Sequence, residues 1–320
     1  MDMIYTDAAR RELGVLQEYE LDLAIGEDEN DFALTMARAS HCCAPGAFVY
    51  AENTEYGGIV DALRSRPAAD EITYTGRTWH GILNSKVIEP DSGKNYLTVS
   101  GDANEVLAFL VVRLELSGLF SAANAASGIS ISGYQFPRYC KGYDGIRALL
   151  AAHGAKLVLR MRNGMVTLSA APVVRLEDAD TDDTSVSLDV TRAYHTVNHL
   201  ICLGKGELAA RTVLHLYADA TGSISTTKTQ TGLDEIAEVY DYPSVESVAD
   251  LEQKGRQKLA ELWQPARVVA AMDESAGDLD VGDSKGAIDE VTGIEVAATI
   301  TKKIVTVRNG RVTVDYKVGV

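Results

Sequence analysis

Apolar and polar positions alternate along "LGVLQEYELDLAIG" and again along "DFALTMA", with the turn-like "GEDEND" between them, and "GAFVYAE" adds a third short run before "YGG". Period-two alternation is the mark of half-buried strands, so the first hundred residues predict a sheet or barrel. At Asp102 the period changes. Asp102 and Glu105 make a capping box, and Val106, Leu107, Leu110, Val111 and Leu114 recur at helical spacing, which predicts a helix to about Gly118. The loop "SAANAASGISISG" leads to a second helix, "GYDGIRALLAAHG", closed by Gly154. "AKLVLRM" then meets "MVTLSA" across Asn163 and Gly164, a strong hairpin signal. Strands return in "SVSLDV", "NHLICLG" and "TVLHLYAD". A helix follows in "SVESVADLEQKGRQKLAELW", with Ser244 and Ser247 as candidate caps and an apolar stripe of Val248, Leu251, Leu259 and Leu262 interrupted by Gly255.

The chain closes on "VTGIEVAATITKKIVTVRNGRVTVDYKVG", residues 291 to 319, which has an echo 217 positions earlier in "ITYTGRTWHGILNSKVIEPDSGKNYLTVSGD". Thr75 and Gly76 answer Thr292 and Gly293, Lys86 answers Lys303, and Gly93 answers Gly310. Both segments read as strand, turn and strand. Either turn chemistry recruited the same residues twice, or the two hairpins hold equivalent places in two domains.

No regular alternation of strand and helix supports a doubly wound parallel sheet. The expected fold is mainly β with an α+β insert: two β barrels or sandwiches per chain. Residues 1–102 form the first barrel, completed by 184–218; residues 103–183 form the insert of two helices and a hairpin; residues 219–320 form the second barrel with the helix 244–263.

The 320 residues carry 30 basic and 46 acidic side chains, a formal charge of −16. That balance argues against gripping nucleic acid through phosphates but not against a wall that nucleic acid slides past. "MDMIYTDAARRELG" reads as no signal peptide, and "VLAFLVV" at 106 to 112 is too short to cross a bilayer, so a soluble protein made in a cytoplasm is expected, without membrane insertion. Four cysteines, with Cys42 and Cys43 adjacent and Cys140 and Cys202 alone, read as reduced thiols.

Candidate chemistry is sparse. His195 and His199 in "HTVNH" would share a helix face, but the surroundings read as strand, where four residues span roughly 13 Å. "HCC" at 41 to 43 gathers three ligand types, yet neighbours on an extended chain point to opposite sides. "DADTDD" alternates Asp178, Asp180 and Asp182 like a calcium loop but has Asp183 where the turn needs glycine. "GISISG" has Ser132 where a nucleophile elbow needs its second glycine. "GKGEL" (204–208) and "TEYGG" (54–58) read as glycine turns, and Trp79 and Trp263 as packing residues in a strand and at a helix end. No catalytic, cofactor-binding or metal-ligating residue is assigned, and no cofactor is expected.

"VNHLICLGKGELAARTVLHLYAD", residues 197 to 219, resembles the signature stretch of a family of siphovirus tail proteins of the ReqiPepy type. "YDGIRALLAAHGAKLVLRMRNGMVTLSAAPVV", "LEQKGRQKLAEL" and "DLDVGDSKGAIDEVTGIEVAATITKKIVTV" are similar to it as well, and the likeness extends back to "NTEYGGIVDAL" near Asn53. The resemblance implies a tail or baseplate hub, similar to the N-terminal part of tail-associated lysins, with two tail-tube-like barrels per chain. It implies a homotrimer between a tail tube or distal tail protein and a spike, fibre or lysin, in the virion tail of a phage, a prophage or a phage-tail-like particle. The tape-measure protein would be a further partner, with DNA in transit only. With the chain ending at Val320, no lytic domain is expected, so no enzyme. Two other readings stay open: a cell-wall hydrolase using an acid pair, and a receptor-binding tail module.

Overall fold

A computed structural model describes residues 1–176, 185–272 and 274–319. The stretch 177–184, and with it the calcium-like spacing of Asp178, Asp180 and Asp182, lies outside the described residues. The chain divides into two compact units, Met1–Leu188 with Ala270–Ile288 and Glu295–Val320, and Asp189–Val269 with Asp289–Ile294. It is mainly β, with four α-helices among the described residues.

The N-terminal alternation becomes β1 (Ile4–Thr6), β2 (Glu12–Val15), β3 (Tyr19–Gly26) and β4 (Asp31–Ala37), followed by β5 (Phe48–Tyr50), β6 (Gly57–Arg66) and β7 (Glu71–Thr78). In β4 the period is literal: Phe32, Leu34 and Met36 are buried while Asp31 and Ala37 face solvent. Antiparallel pairing joins β3 to β4, β4 to β7 and β7 to β6. Glycine is required where β6 and β7 close on each other. A Cβ at Gly76 would lie 1.8 Å from the Ile59 carbonyl oxygen, and one at Gly58 would lie 2.1 Å from that of Arg77.

The echo between Ile72 and Gly101 predicts a hairpin, and the structure corrects it. After β7 the chain enters helix α1 (Trp79–Asn84), because the Thr78 hydroxyl accepts the Gly81 N–H at 3.2 Å and the first turn buries Trp79, Ile82 and Leu83. Trp79 is therefore helical, not in a strand. Gly93 lies between β8 (Val87–Ile88) and β9 (Thr98–Asp102), which belong to different two-stranded sheets.

Helix α2 (Ala103–Arg113) starts where the pattern places it. The Asp102 carboxylate accepts the N–H of Asn104 at 2.9 Å and that of Ser127 at 3.0 Å. It ends at Arg113, short of Gly118, where Glu115 turns left-handed with φ 58°. Then come β10 (Phe120–Ala122), β11 (Ser130–Gln135), β12 (Cys140–Lys141), helix α3 (Gly142–Ala151), β13 (Ala155–Arg162) and β14 (Met165–Pro172). The β13–β14 hairpin pairs from Ala155↔Pro172 to Arg162↔Met165. Its turn carries Asn163 and Gly164 at φ 50° and 76°, as a type I′ turn needs. Both helices pack on this hairpin, burying Leu107, Leu110, Ile146, Leu149, Leu159 and Leu168 together with Phe48, Tyr50 and Trp79.

β15 (Arg175–Leu176) follows, and β16 (Val186–Arg192) leads into the second unit. There β17 (His199–Leu203), β18 (Val213–Ala218), β19 (Ile224–Ser225) and β20 (Ala237–Asp241) form a sheet in the order β19-β18-β17-β20, with β20 parallel to β17. Residues 199–218 thus pair with β19 and β20. Helix α4 (Val248–Leu262) covers one face, capped by Ser247, whose hydroxyl accepts the Asp250 N–H at 3.1 Å. The gap that Gly255 leaves in the apolar stripe is the closest approach: a Cβ there would lie 2.5 Å from Cys202 Sγ.

The chain returns through β21 (Ala266–Met272), β22 (Ser284–Asp289), β23 (Ile294–Arg308) and β24 (Arg311–Gly319). The terminal hairpin turns at Asn309 and Gly310, as its sequence predicts. β23 also pairs with β3, from Lys302↔Gly26 to Val307↔Leu21, so both chain ends share one sheet. Its described path is β16-β21-β24-β23-β3-β4-β7-β6-β5-β1-β2. One strand serves two apolar cores. Ala298 and Ile300 of β23 pack with Met272, Leu279 and Tyr316, whereas Val305 and Val307 pack with Leu21, Leu23, Phe32 and Tyr74. A register shift between Ile300 and Lys302 moves the buried set from even to odd positions, which keeps the strand amphipathic across the bulge.

Candidate functional site

Within the first unit, charged side chains from remote parts of the sequence converge in the interior. Lys303 of β23 is almost wholly buried, and its Nζ lies 2.8 Å from Glu55 Oε1 and 3.0 Å from Asp280 Oδ1. Lys156 of β13 reaches Asp283 Oδ2 at 2.6 Å and Asp280 Oδ2 at 2.9 Å. The Asp283 carboxylate also accepts the N–H groups of Val174 at 2.7 Å and Asp280 at 2.8 Å. His80 of α1 completes the group, with Nε2 at 3.5 Å from Glu55 Oε2 and its ring edge-on to Tyr143.

The loop "TEYGG" supplies Glu55. The Thr54 hydroxyl donates to the Ala51 carbonyl at 2.8 Å and accepts the Tyr56 N–H at 3.0 Å, which fixes the loop and aims Glu55 inward. This segment is a buried structural loop, not a solvent-facing turn.

Burial sets the terms of the electrostatics, and the pairing decides them. For Lys303 burial favours the neutral amine, but Glu55, Tyr56 and Asp280 outweigh it and raise the pKa. For Asp280 burial likewise favours the neutral acid, and Lys303 and Lys156 overcome it, bringing the pKa down to about 2. His80 is held neutral: burial, then Lys303, depress its pKa to about 3. Its Nδ1 has no hydrogen-bond partner. The paired ammonium and carboxylate groups saturate one another, so the arrangement fastens β13, β23, the 51–56 loop and the 277–283 loop together.

A second cluster lies in the other unit. His199 Nε2 and His215 Nδ1 are 2.8 Å apart, His199 Nδ1 lies 2.7 Å from Glu235 Oε1, and Lys228 Nζ lies 2.6 Å from Glu235 Oε2. Tyr217 stacks on His199 with centroids 4.4 Å apart. His195, the other half of "HTVNH", sits ahead of β17, and the partner of His199 is on the neighbouring strand. Among the described residues no three His, Cys, Asp or Glu side chains converge as a metal-ligand set, and no helix is long and apolar enough to cross a membrane.

The remaining singled-out residues separate. Ser132 is exposed within β11, not at a strand-to-helix turn. Leu208 of "GKGEL" is 97% exposed with φ 48°. Trp79 meets Phe48 edge-on at 5.4 Å, and Trp263 packs over Gly222. His41, Cys42 and Cys43 depart most from expectation. They follow a short 3-10 turn and are not extended, so the two thiols do not diverge: their Sγ atoms lie 3.7 Å apart.

No family model matches the chain, and no curated protein matches it. Among solved structures it is similar along its whole length to phage and prophage tail proteins. A prophage tail protein gp18 from Listeria monocytogenes EGD-e aligns over 99% of this chain and 94% of its own, with TM-score 0.49 and 14% identity. A tail protein from Neisseria meningitidis MC58 aligns over 99% and 95%, with TM-score 0.45 and 12% identity. The 43 kDa tail protein of prophage MuSo2 from Shewanella oneidensis aligns over 100% and 98%, with TM-score 0.45 and 13% identity.

Proposed function

We propose that the protein is a structural hub of a phage-type tail tip, a homotrimer that joins a tail tube or distal tail ring to a spike, fibre or lysin. The observation that carries the reading is the single sheet serving two apolar cores through β23. In this reading each core corresponds to one tail-tube-like position, so three chains would offer six positions to a sixfold tube and three to a threefold base. The resemblance of residues 197–219 to siphovirus tail proteins favours the same reading. The role we propose is structural: the convergent charges in the interior pair with one another and fasten remote segments together.

The formal charge of −16 has a use in this setting. An acidic passage repels DNA and offers a tape-measure protein few basic anchors, so ejection is not slowed by adhesion. Light scattering at micromolar concentration is expected to give a trimer mass, and electron micrographs of the particles a ring with threefold symmetry. A strictly monomeric protein that forms no ring with a tube protein overturns the proposal.

A further inference from the structure

"HCC" is the motif that the hub reading leaves without a task, and its geometry is that of a built dithiol. Cys42 and Cys43 are both free thiols, the second within the core and the first half-buried with access to solvent. Three consecutive residues are pinned around one buried phenol. The Tyr74 hydroxyl of β7 accepts the N–H of Cys42 at 3.0 Å and of Cys43 at 3.2 Å, and lies 2.6 Å from His41 Nδ1. With two N–H groups donating to it, the phenol gives its own proton to His41 Nδ1, which takes that nitrogen out of use as a ligand. The two peptide N–H groups converge on one oxygen, the backbone turns, and the thiols end on the same side.

Their separation of 3.7 Å has chemical meaning. A pyramidal trivalent centre bonded to two sulfurs at about 2.3 Å, with an angle near 100° between the bonds, holds them about 3.5 Å apart, so the pair needs to close by only about 0.2 Å. We propose that Cys42 and Cys43 form a vicinal dithiol site for a trivalent thiophilic centre, an arsenoxide, which needs two sulfurs and no imidazole. The step is a condensation without change of oxidation state. Two arsenic–sulfur bonds form, the arsenic–oxygen double bond breaks, and the two thiol protons leave with the oxygen as water. Chelation by a held pair avoids the ordering cost that two independent thiols would carry. Burial raises the pKa of both thiols, so thiolate-dependent alkylation of the pair is slow.

Phenylarsine oxide is the probe. Treating the full-length protein with one equivalent is expected to give a single adduct by intact-mass spectrometry, mapping to the peptide containing residues 42 and 43. The adduct should survive excess monothiol and be stripped by dithiothreitol. Cys42→Ser, at the half-buried position, should lose it, and the double variant Cys140→Ser with Cys202→Ser should keep it. An adduct mapping elsewhere, one removed by monothiol, or none at all overturns the site. Peptide mapping on the unmodified sequence decides the matter even if a cysteine variant folds poorly.

Discussion

The two units solve the problem of a stable interior in opposite ways. The second unit lays α4 on a four-stranded sheet and fills the gap with Leu200, Cys202, Leu216, Leu251 and Leu259, while its ionisable cluster of His199, His215 and Glu235 sits on the sheet rather than under the helix. The first unit has larger apolar cores, yet it also buries Lys303, Lys156, Glu55 and Asp283. Apolar contacts are non-directional, so a helix on a sheet tolerates small slips; a buried charge pair does not, because an unpaired charge in the interior costs several kcal/mol. The charge network therefore fixes how separate segments meet, and the second unit depends on shape and patterning.

The largest expected effect breaks that network. Lys303→Met strands Glu55 and leaves Asp280 with Lys156 alone, and should lower stability by about 3–5 kcal/mol in urea denaturation. Leu259→Ala, its counterpart in the second unit, should cost about 2–5 kcal/mol through a cavity, with accelerated hydrogen exchange in α4. If Lys303→Met proves nearly neutral, the contrast between the units fails.

Next comes pH. His80 has its pKa lowered from 6.5 to about 3, so it contributes stability that is complete above pH 6.5 and lost as pH falls toward 3. At pH 4.5 the loss is about 2–3 kcal/mol. Asp280, lowered from 3.8 to about 2, contributes stability that is lost only below about pH 4. Thermal melts between pH 6.5 and 4.5 should therefore decline in the native protein and flatten in His80→Gln. An equal slope in that variant would remove His80 from the account.

Gly255→Ala should cost about 1–3 kcal/mol by pushing α4 off Cys202 and Leu216, read from the melting midpoint. The smallest effect belongs to Lys258→Ala, which removes an exposed pair to Glu261 at 3.3 Å and should change stability by less than about 0.5 kcal/mol.

Much of the architecture was legible in advance for local reasons. Asp102 and Ser247 mark the starts of α2 and α4, and Asn163–Gly164 and Asn309–Gly310 mark two hairpins, because caps and tight turns are decided by residues a few positions apart. Helix α1 escaped because six residues inside a strand-like stretch carry too little period; the signal available was Thr78 as a cap before Trp79. The 217-residue echo misled because shared turn residues say nothing about which strands pair.

The sequence alone determined a mainly β chain with an α+β insert and the identity of its principal turns and caps, since those depend on period and on neighbours along the chain. Only the tertiary structure decided that β23 joins β3, that Lys303 meets Glu55 and Asp280, that His199 partners His215, and that Cys42 and Cys43 face one another. Glu55 and Lys303 stand 248 positions apart. No periodicity reaches that far, and what brings them together is the shared need to bury apolar faces and to pair every charge carried inside with them.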